Sequence, residues 1–201
     1  LYDAAKNWMD EAFSLLRKVG WTQSKNDVCL WFFWSPCGKI LLGMLILYVD
    51  DGIYWAEGAA ADSIKKLSEM IVFGAENDSG KWRFLGIDGQ QHADFSITLE
   101  NGKYAEKILK EFSGTEIGNK VTPETTLSPE QVNLMRKIIG KLAWLAISCA
   151  PTLLAAVSYH SSKVIGGTVG DLKDLLKTVK NLSSDPEAYR IRIVPLNVSR
   201  D

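Results

Sequence analysis

The chain has 201 residues, of which 46% are apolar and 23% charged, and its formal charge is −1. That content supports one sizeable core, or two small ones, and excludes a disordered tail and a membrane protein. A balance of 23 Lys and Arg against 24 Asp and Glu argues against a stand-alone nucleic-acid module, whose affinity rests on excess basic charge.

Residues 3–19 read as an amphipathic helix, with Trp8, Ala12, Leu15, Leu16 and Val19 at helical spacing and Gly20 as the stop. Leu1 falls inside this helix-forming segment, so the chain reads as a piece of a longer protein, and it opens on no charged-then-apolar leader. The aromatic and β-branched run 28–34 predicts a buried strand, and Ser35-Pro36-Cys37-Gly38 a turn. The run 40–49 predicts a second strand; it is too short to span a bilayer and ends in two carboxylates. Asp50-Asp51-Gly52 then reads as a hairpin turn, with Ile53-Tyr54-Trp55 starting the returning strand.

Residues 59–73 predict a helix with Ile64, Leu67 and Ile71 on one face. Two short strands follow, one alternating through Trp82, Phe84 and Gly86, the other through Phe95, Ile97 and Leu99. Residues 77–80 and 88–94 read as loops. Residues 103–112 predict a helix with Tyr104, Ile108 and Phe112 on its apolar face. The composition shifts near Val121-Thr122-Pro123 from mixed to nearly all helical. Ser128 as cap and Pro129 at the first helical position start a helix that Pro151 stops. Residues 152–163 and 171–182 predict two more helices, separated by Gly166-Gly167, and residues 189–194 alternate as a strand does.

The strongest chemical feature is Tyr48-Val49-Asp50-Asp51 between two apolar arms. Rigid arms are what a metal site needs, and Mg²⁺ takes hard oxygen ligands, usually one or two carboxylates plus substrate phosphates. The plain alternative is a solvated turn, because Asp and Gly both tolerate turn conformations.

In that form and setting, the motif resembles the polymerase motif of Ty1/copia-type retrotransposon reverse transcriptases. Other segments agree in order. Asn26-Asp27-Val28-Cys29-Leu30-Trp31 resembles the family's Ser-Asp-Pro-Cys-Leu-Phe, and Phe84-Leu85-Gly86-Ile87 matches its Phe-Leu-Gly-Ile. Lys103-Tyr104-Ala105-Glu106-Lys107-Ile108-Leu109 is similar to its Lys-Tyr-Ile-X-X-Leu-Leu, and Thr122-Pro123 to its Thr-Pro linker. The segment from Arg136 through Gly140 and Trp144 to Ala146 resembles its Tyr-Arg-X-X-X-Gly-X-Leu-X-Tyr-Leu-Ala helix, and Ala155-Ala156-Val157-Ser158 its Ala-Val-Ser helix.

The resemblance implies an α+β fold: a partial palm with an antiparallel sheet and helices over 1–100, then mostly helical thumb and connection over 101–182. Within the palm it places the catalytic hairpin at 40–55 and a primer-grip-like segment at 81–99. The tail, 183–201, reads either as a frayed end or, by the resemblance, as the start of a ribonuclease H domain. The resemblance implies RNA-directed DNA polymerase activity by two-metal nucleotidyl transfer, with Asp50 and Asp51 as catalytic and metal-binding residues for two Mg²⁺ (or Mn²⁺) ions. Tyr48, Val49, Lys6, Phe84, Leu85 and Gly86 would contact nucleotide or primer. The implied partners are an RNA template, a DNA primer, deoxynucleoside triphosphates, and the integrase and ribonuclease H of the polyprotein, with no membrane. The implied setting is a cytoplasmic virus-like particle.

The pattern departs in three places. The family's third metal-binding Asp lies on a strand upstream of the position of Leu1. The family's Leu-Tyr-Gly-Leu-Lys-Gln-X-Pro-Arg-X-Trp reads here Leu1-Tyr2-Asp3-Ala4-Ala5-Lys6-Asn7-Trp8, which puts Lys6 in the place of the Arg. Ala150-Pro151-Thr152 stands where the family has Arg-Pro-Asp. An inactive relic or a domesticated nucleic-acid-binding module is therefore the alternative, and an unrelated α+β domain with an acidic turn a third.

Other candidates carry little. Cys29, Cys37 and Cys149 have no CxxC spacing, which argues against zinc and disulfides and fits a reducing compartment. His92 and His160 read as ordinary residues, and Gly166-Gly167-Thr168-Val169-Gly170 lacks the Lys of a phosphate loop. Trp8, Trp31 and Trp144 fall on apolar faces and predict core packing. Lys65, Lys66, Lys107, Lys110, Lys137 and Lys141 either track a phosphate backbone or form solvated helix faces.

Overall fold

The computed structural model describes residues 2–71, 80–118, 121–183 and 185–195. It is an α+β structure with two four-stranded antiparallel sheets and, among the described residues, six α-helices. None of these helices is long and apolar enough to cross a membrane. The chain divides into two compact units, Leu1–Asp78 and Ser79–Asp201.

In the first unit, helix α1 (Tyr2–Lys18) ends in two main-chain hydrogen bonds, Trp21 N–H to the Leu16 carbonyl and Gly20 N–H to the Arg17 carbonyl. Gly20 supplies the positive φ, 100°, that this helix stop requires. Strands β1 (Thr22–Gln23), β2 (Leu30–Trp34), β3 (Leu41–Tyr48) and β4 (Asp51–Ala56) then form a meander in chain order, and α2 (Ala59–Met70) follows. One sheet face and the two helices make the core: Ala12, Phe13, Leu16, Trp21, Trp31, Leu45, Leu47, Ala60 and Leu67. Trp31 is fully buried, with the Phe13 ring 5.1 Å away and the Arg17 guanidinium 5.3 Å from its ring centre. Trp21 donates its indole N–H to Ser63 Oγ at 2.8 Å, which ties the end of α1 to α2. The helix predicted for 59–73 is present to Met70, and residues 72–73 lie outside the described segments.

In the second unit, β5 (Lys81–Phe84), β6 (Ile87–Gln91), β7 (Ile97–Glu100) and β8 (Arg190–Ile193) pair in that order. Helices α3 (Gly102–Phe112), α4 (Pro129–Ser148), α5 (Leu154–Ser162) and α6 (Val169–Lys180) pack around Ile108, Phe112, Met135, Ile138, Leu142, Leu145, Leu172, Leu175 and Val179. The Ser128 side chain accepts from Gln131 N–H while Gln131 returns a bond to Ser128 N–H, so the predicted start of α4 is a full capping box. Thr168 and Asp171 make the same box on α6, which begins two residues before the expected 171.

Two local expectations are corrected. The segment 88–94, read as a loop, is largely strand β6, and Phe95, read as strand, sits in a turn with φ of 62°. Gly89 explains the first error. A Cβ there would lie 2.3 Å from the Trp82 indole, so the missing side chain is replaced by a ring from the neighbouring strand. A Gly-Gln-Gln stretch carries no strand signal of its own.

His160, on the last turn of α5, is buried, with Nε2 3.2 Å from Thr178 Oγ1 of α6 and Nδ1 without a hydrogen-bond partner. Burial pushes its pKa below the ordinary histidine value, and Asp174 and Asp171 only partly offset this. The unfolded chain therefore binds this proton at higher pH than the folded chain does, and stability falls as pH drops below about 6.5. Urea melts at about pH 7.5 and 5.5 should show the parent losing more stability on acidification than His160→Gln, which keeps a donor for Thr178 and does not titrate. Equal losses in both chains would remove His160 as the cause.

Candidate metal-binding hairpin

Strand β3 alternates. Gly43, Leu45 and Leu47 point into the core, while Met44, Ile46 and Tyr48 are exposed on the opposite face. This is the period of two expected of a sheet with one packed face. The register carries the exposed face across the sheet, placing Phe32, Met44 and Trp55 in one row, Leu30, Ile46 and Ile53 in the next, and Tyr48 opposite Asp51 at the end. The rows are unusually apolar for exposed positions, with Met44 and Ile46 each 38% and Trp55 46% accessible.

The turn lies earlier than the sequence suggests. Because Tyr48 pairs with Asp51, the loop is Val49-Asp50 alone, and Asp51-Gly52 already belongs to β4. Val49 takes φ of 52° and Asp50 does not share the positive sign, the pattern of a type II′ hairpin turn. Glycine is the ordinary occupant of that corner; a β-branched residue there is strained. Asp-Gly chemistry predicted a turn at 50–52, but the pairing of β3 with β4 overrides it.

Asp50 and Asp51 thus sit side by side at the ribbon tip, one in the loop and one on the first strand residue, both exposed. Among the described residues no third His, Cys, Asp or Glu joins them in a cluster able to hold a metal. Two carboxylates of hard oxygen fit a Mg²⁺ site that draws its remaining ligands from substrate phosphate and water.

The other predicted site residues lie on other elements. Lys6 is exposed on α1. Phe84, Leu85, Gly86 and Ile87 belong to the second unit, where they form the β5–β6 hairpin. Phe84 pairs with Ile87, and Leu85 and Gly86 are its loop, with φ of 49° and 81° and the sign pattern of a type I′ turn. Gly86 is therefore a turn residue, not the strand residue expected from alternation.

Trp31 is core and Trp8 half-buried, as expected, but Trp144 is 41% exposed. It lies on an outward row of α4 formed by Arg136, Lys137, Gly140, Trp144 and Ile147 at helical spacing. A Cβ on Gly140 would meet nothing within 4 Å, so the row dips at its middle. Lys137 and Lys141 both pair with Glu111, at 2.7 and 2.9 Å, which leaves Arg136 the uncommitted cation of this row among the described residues. Trp144 was expected in the core, because a tryptophan on a helix reads as core unless its phase is followed through Met135, Ile138, Leu142 and Leu145, the buried positions that set the inward face.

His92 bonds Thr98 through Nε2 at 2.6 Å, and His160 packs against Thr178 within the second unit. No family model matches the chain, and no curated protein or solved structure matches it.

Proposed function

We propose that the chain is the RNA-directed DNA polymerase portion of a Ty1/copia-type element, with Leu1–Asp78 as part of its palm. The observation that carries this reading is the ribbon tip, where two adjacent exposed carboxylates are presented by a strained two-residue turn on a stiff apolar hairpin. Asp50 and Asp51 would hold divalent ions there. When bound, such ions supply activation of the primer 3′ hydroxyl and neutralisation of the triphosphate.

The chain's own groups divide the remaining work. Tyr48, opposite Asp51 and 51% exposed, offers a ring beside the acids for the primer end. Val49 fixes the corner that sets the direction of Asp50. The outward row of α4 combines a cation, a gap at Gly140 and an indole, a surface suited to a nucleic-acid backbone and sugar edge. Charge is also divided unevenly. Residues 1–78 carry seven Lys and Arg against eleven Asp and Glu, and residues 79–201 carry sixteen against thirteen. The acidic unit suits cations and the basic one suits phosphates. The substrates of this reading are an RNA template, a DNA primer and deoxynucleoside triphosphates.

That only two acids gather among the described residues favours the second reading, a nucleic-acid-binding module without catalysis. Primer extension on an RNA template in Mg²⁺ separates the two. Incorporation that stops on chelation supports the polymerase; retention of the duplex with no incorporation supports the binding module.

A further inference from the structure

The acid-bearing hairpin has a brace on the β2 side. The named β2–β3 pairs end at Leu30 and Ile46, yet Leu47 N–H, one residue short of Tyr48, still donates to the Cys29 carbonyl at 2.9 Å. Cys29 is not in a strand, so something else must aim that carbonyl. Asp27 holds the peptides on both sides of Cys29. Its Oδ1 accepts the Cys29 N–H at 2.8 Å, and its main-chain carbonyl accepts the Leu30 N–H at 3.2 Å. The Val28–Cys29 peptide is clamped at its other end as well, since Gln23 Nε2 donates to the Val28 carbonyl at 2.8 Å. Gln23 in turn accepts from Arg17 at 2.7 Å, and Ser24 Oγ accepts the Asn26 and Asp27 N–H groups at 3.2 and 3.4 Å.

We propose that Asp27 is a positioning residue for the acid pair: by fixing the Cys29 carbonyl it anchors Leu47, and so the reach and direction of the tip that carries Asp50 and Asp51. The inference rests on the metal-binding reading of that tip. Asp27 acts on the main chain and not as a third ligand, because no trio of acids forms among the described residues. The physical reason is leverage. Leu47 lies one residue from the Tyr48–Asp51 pair that closes the hairpin, and a two-carboxylate site depends on placement to a fraction of an ångström. Losing a group bonded directly to a metal ligand typically weakens metal affinity by about 10–100-fold, and Asp27, acting further back through Cys29 and Leu47, should fall at the low end.

The test is Mn²⁺ binding by the full chain, followed by electron paramagnetic resonance, with amide exchange at Leu47 measured alongside. Asp27→Ala should weaken Mn²⁺ binding about tenfold and speed Leu47 exchange. Asp27→Asn keeps an oxygen acceptor for Cys29 N–H and should stay within about twofold of the parent. Should Asp27→Ala fail to fold, Gln23→Ala frees the other end of the same peptide and should weaken binding about threefold. A purely structural role would move the melting temperature and leave the affinity of the folded chain alone. Parent-like binding by Asp27→Ala, or by Gln23→Ala in its stead, overturns the inference while the metal site stands. So does Asp27→Asn binding as weakly as Asp27→Ala, since charge and not the hydrogen bond would then matter. If Asp50→Asn binds Mn²⁺ as the parent does, the metal-binding reading itself falls, and the inference with it.

Discussion

Asp50→Asn should lower Mg²⁺-dependent primer extension by at least about a thousandfold, equivalent to about 4 kcal/mol of transition-state stabilisation. The amide has the carboxylate's shape but lacks its charge, so it removes a hard anionic ligand while leaving the turn's sterics in place. The fold has little stake in the change, because Asp50 is exposed and lies in the loop; its melting temperature should match the parent's. Asp51→Asn should behave similarly, with a small added cost to the Tyr48–Asp51 end of the ladder. The measurement is single-turnover extension over a range of Mg²⁺ concentrations. Equal extension by parent and Asp50→Asn would remove the proposed role of this residue.

The largest effect on stability should come from Gly43→Val, which we expect to destabilise the first unit by about 3 kcal/mol or more. Gly43 lies on the packed face of β3, where a Cβ would sit 2.8 Å from the Trp21 ring, 3.0 Å from Ala60 Cβ and 3.1 Å from the Trp55 carbonyl oxygen. Three neighbours from different elements close on one point, and two of them cannot yield without moving a helix or a strand. The Trp21 ring cannot swing away freely either, since its N–H is held by Ser63. Gly52→Ala is the control. It is on the next strand of the same sheet, but its nearest neighbour to a new Cβ is Leu47 Cδ1 at 3.5 Å, an ordinary contact. Denaturant melts should separate the two variants clearly, and a Gly43→Val chain that melts with the parent would refute this account of the packing.

Much of the fold could be read from the sequence where local signals and burial agree. The Ser128-Pro129 start of α4, the Gly20 stop of α1 and the apolar run of β3 each carry their own instructions, and each element forms at the expected place. The tail strand was legible for the same reason, as Arg190–Ile193 alternates and pairs with β7. Misreadings arose where tertiary partners decide. Residues 87–91 are a strand because β5 and β7 flank them and Trp82 covers Gly89. The hairpin turn moved from 50–52 to Val49-Asp50 because six ladder pairs outweigh the conformational preference of Asp51-Gly52. The acid pair itself was visible as residue types. Its brace was not, because the hydrogen bonds that Asp27 accepts from, and Gln23 donates to, a single peptide leave no periodic trace.

The seven tryptophans are divided unevenly between the two units. Trp8, Trp21, Trp31, Trp34 and Trp55 belong to residues 1–78, and only Trp82 and Trp144 to the remainder. Trp31 is sealed at 0% exposure and should be closed to iodide, whereas Trp34, Trp55 and Trp144, at 43%, 46% and 41%, should be open to it. Under the polymerase reading, comparing the parent with a chain changed at Trp144 alone would report, by the iodide quenching that added duplex removes, whether nucleic acid covers α4, with no dye attached.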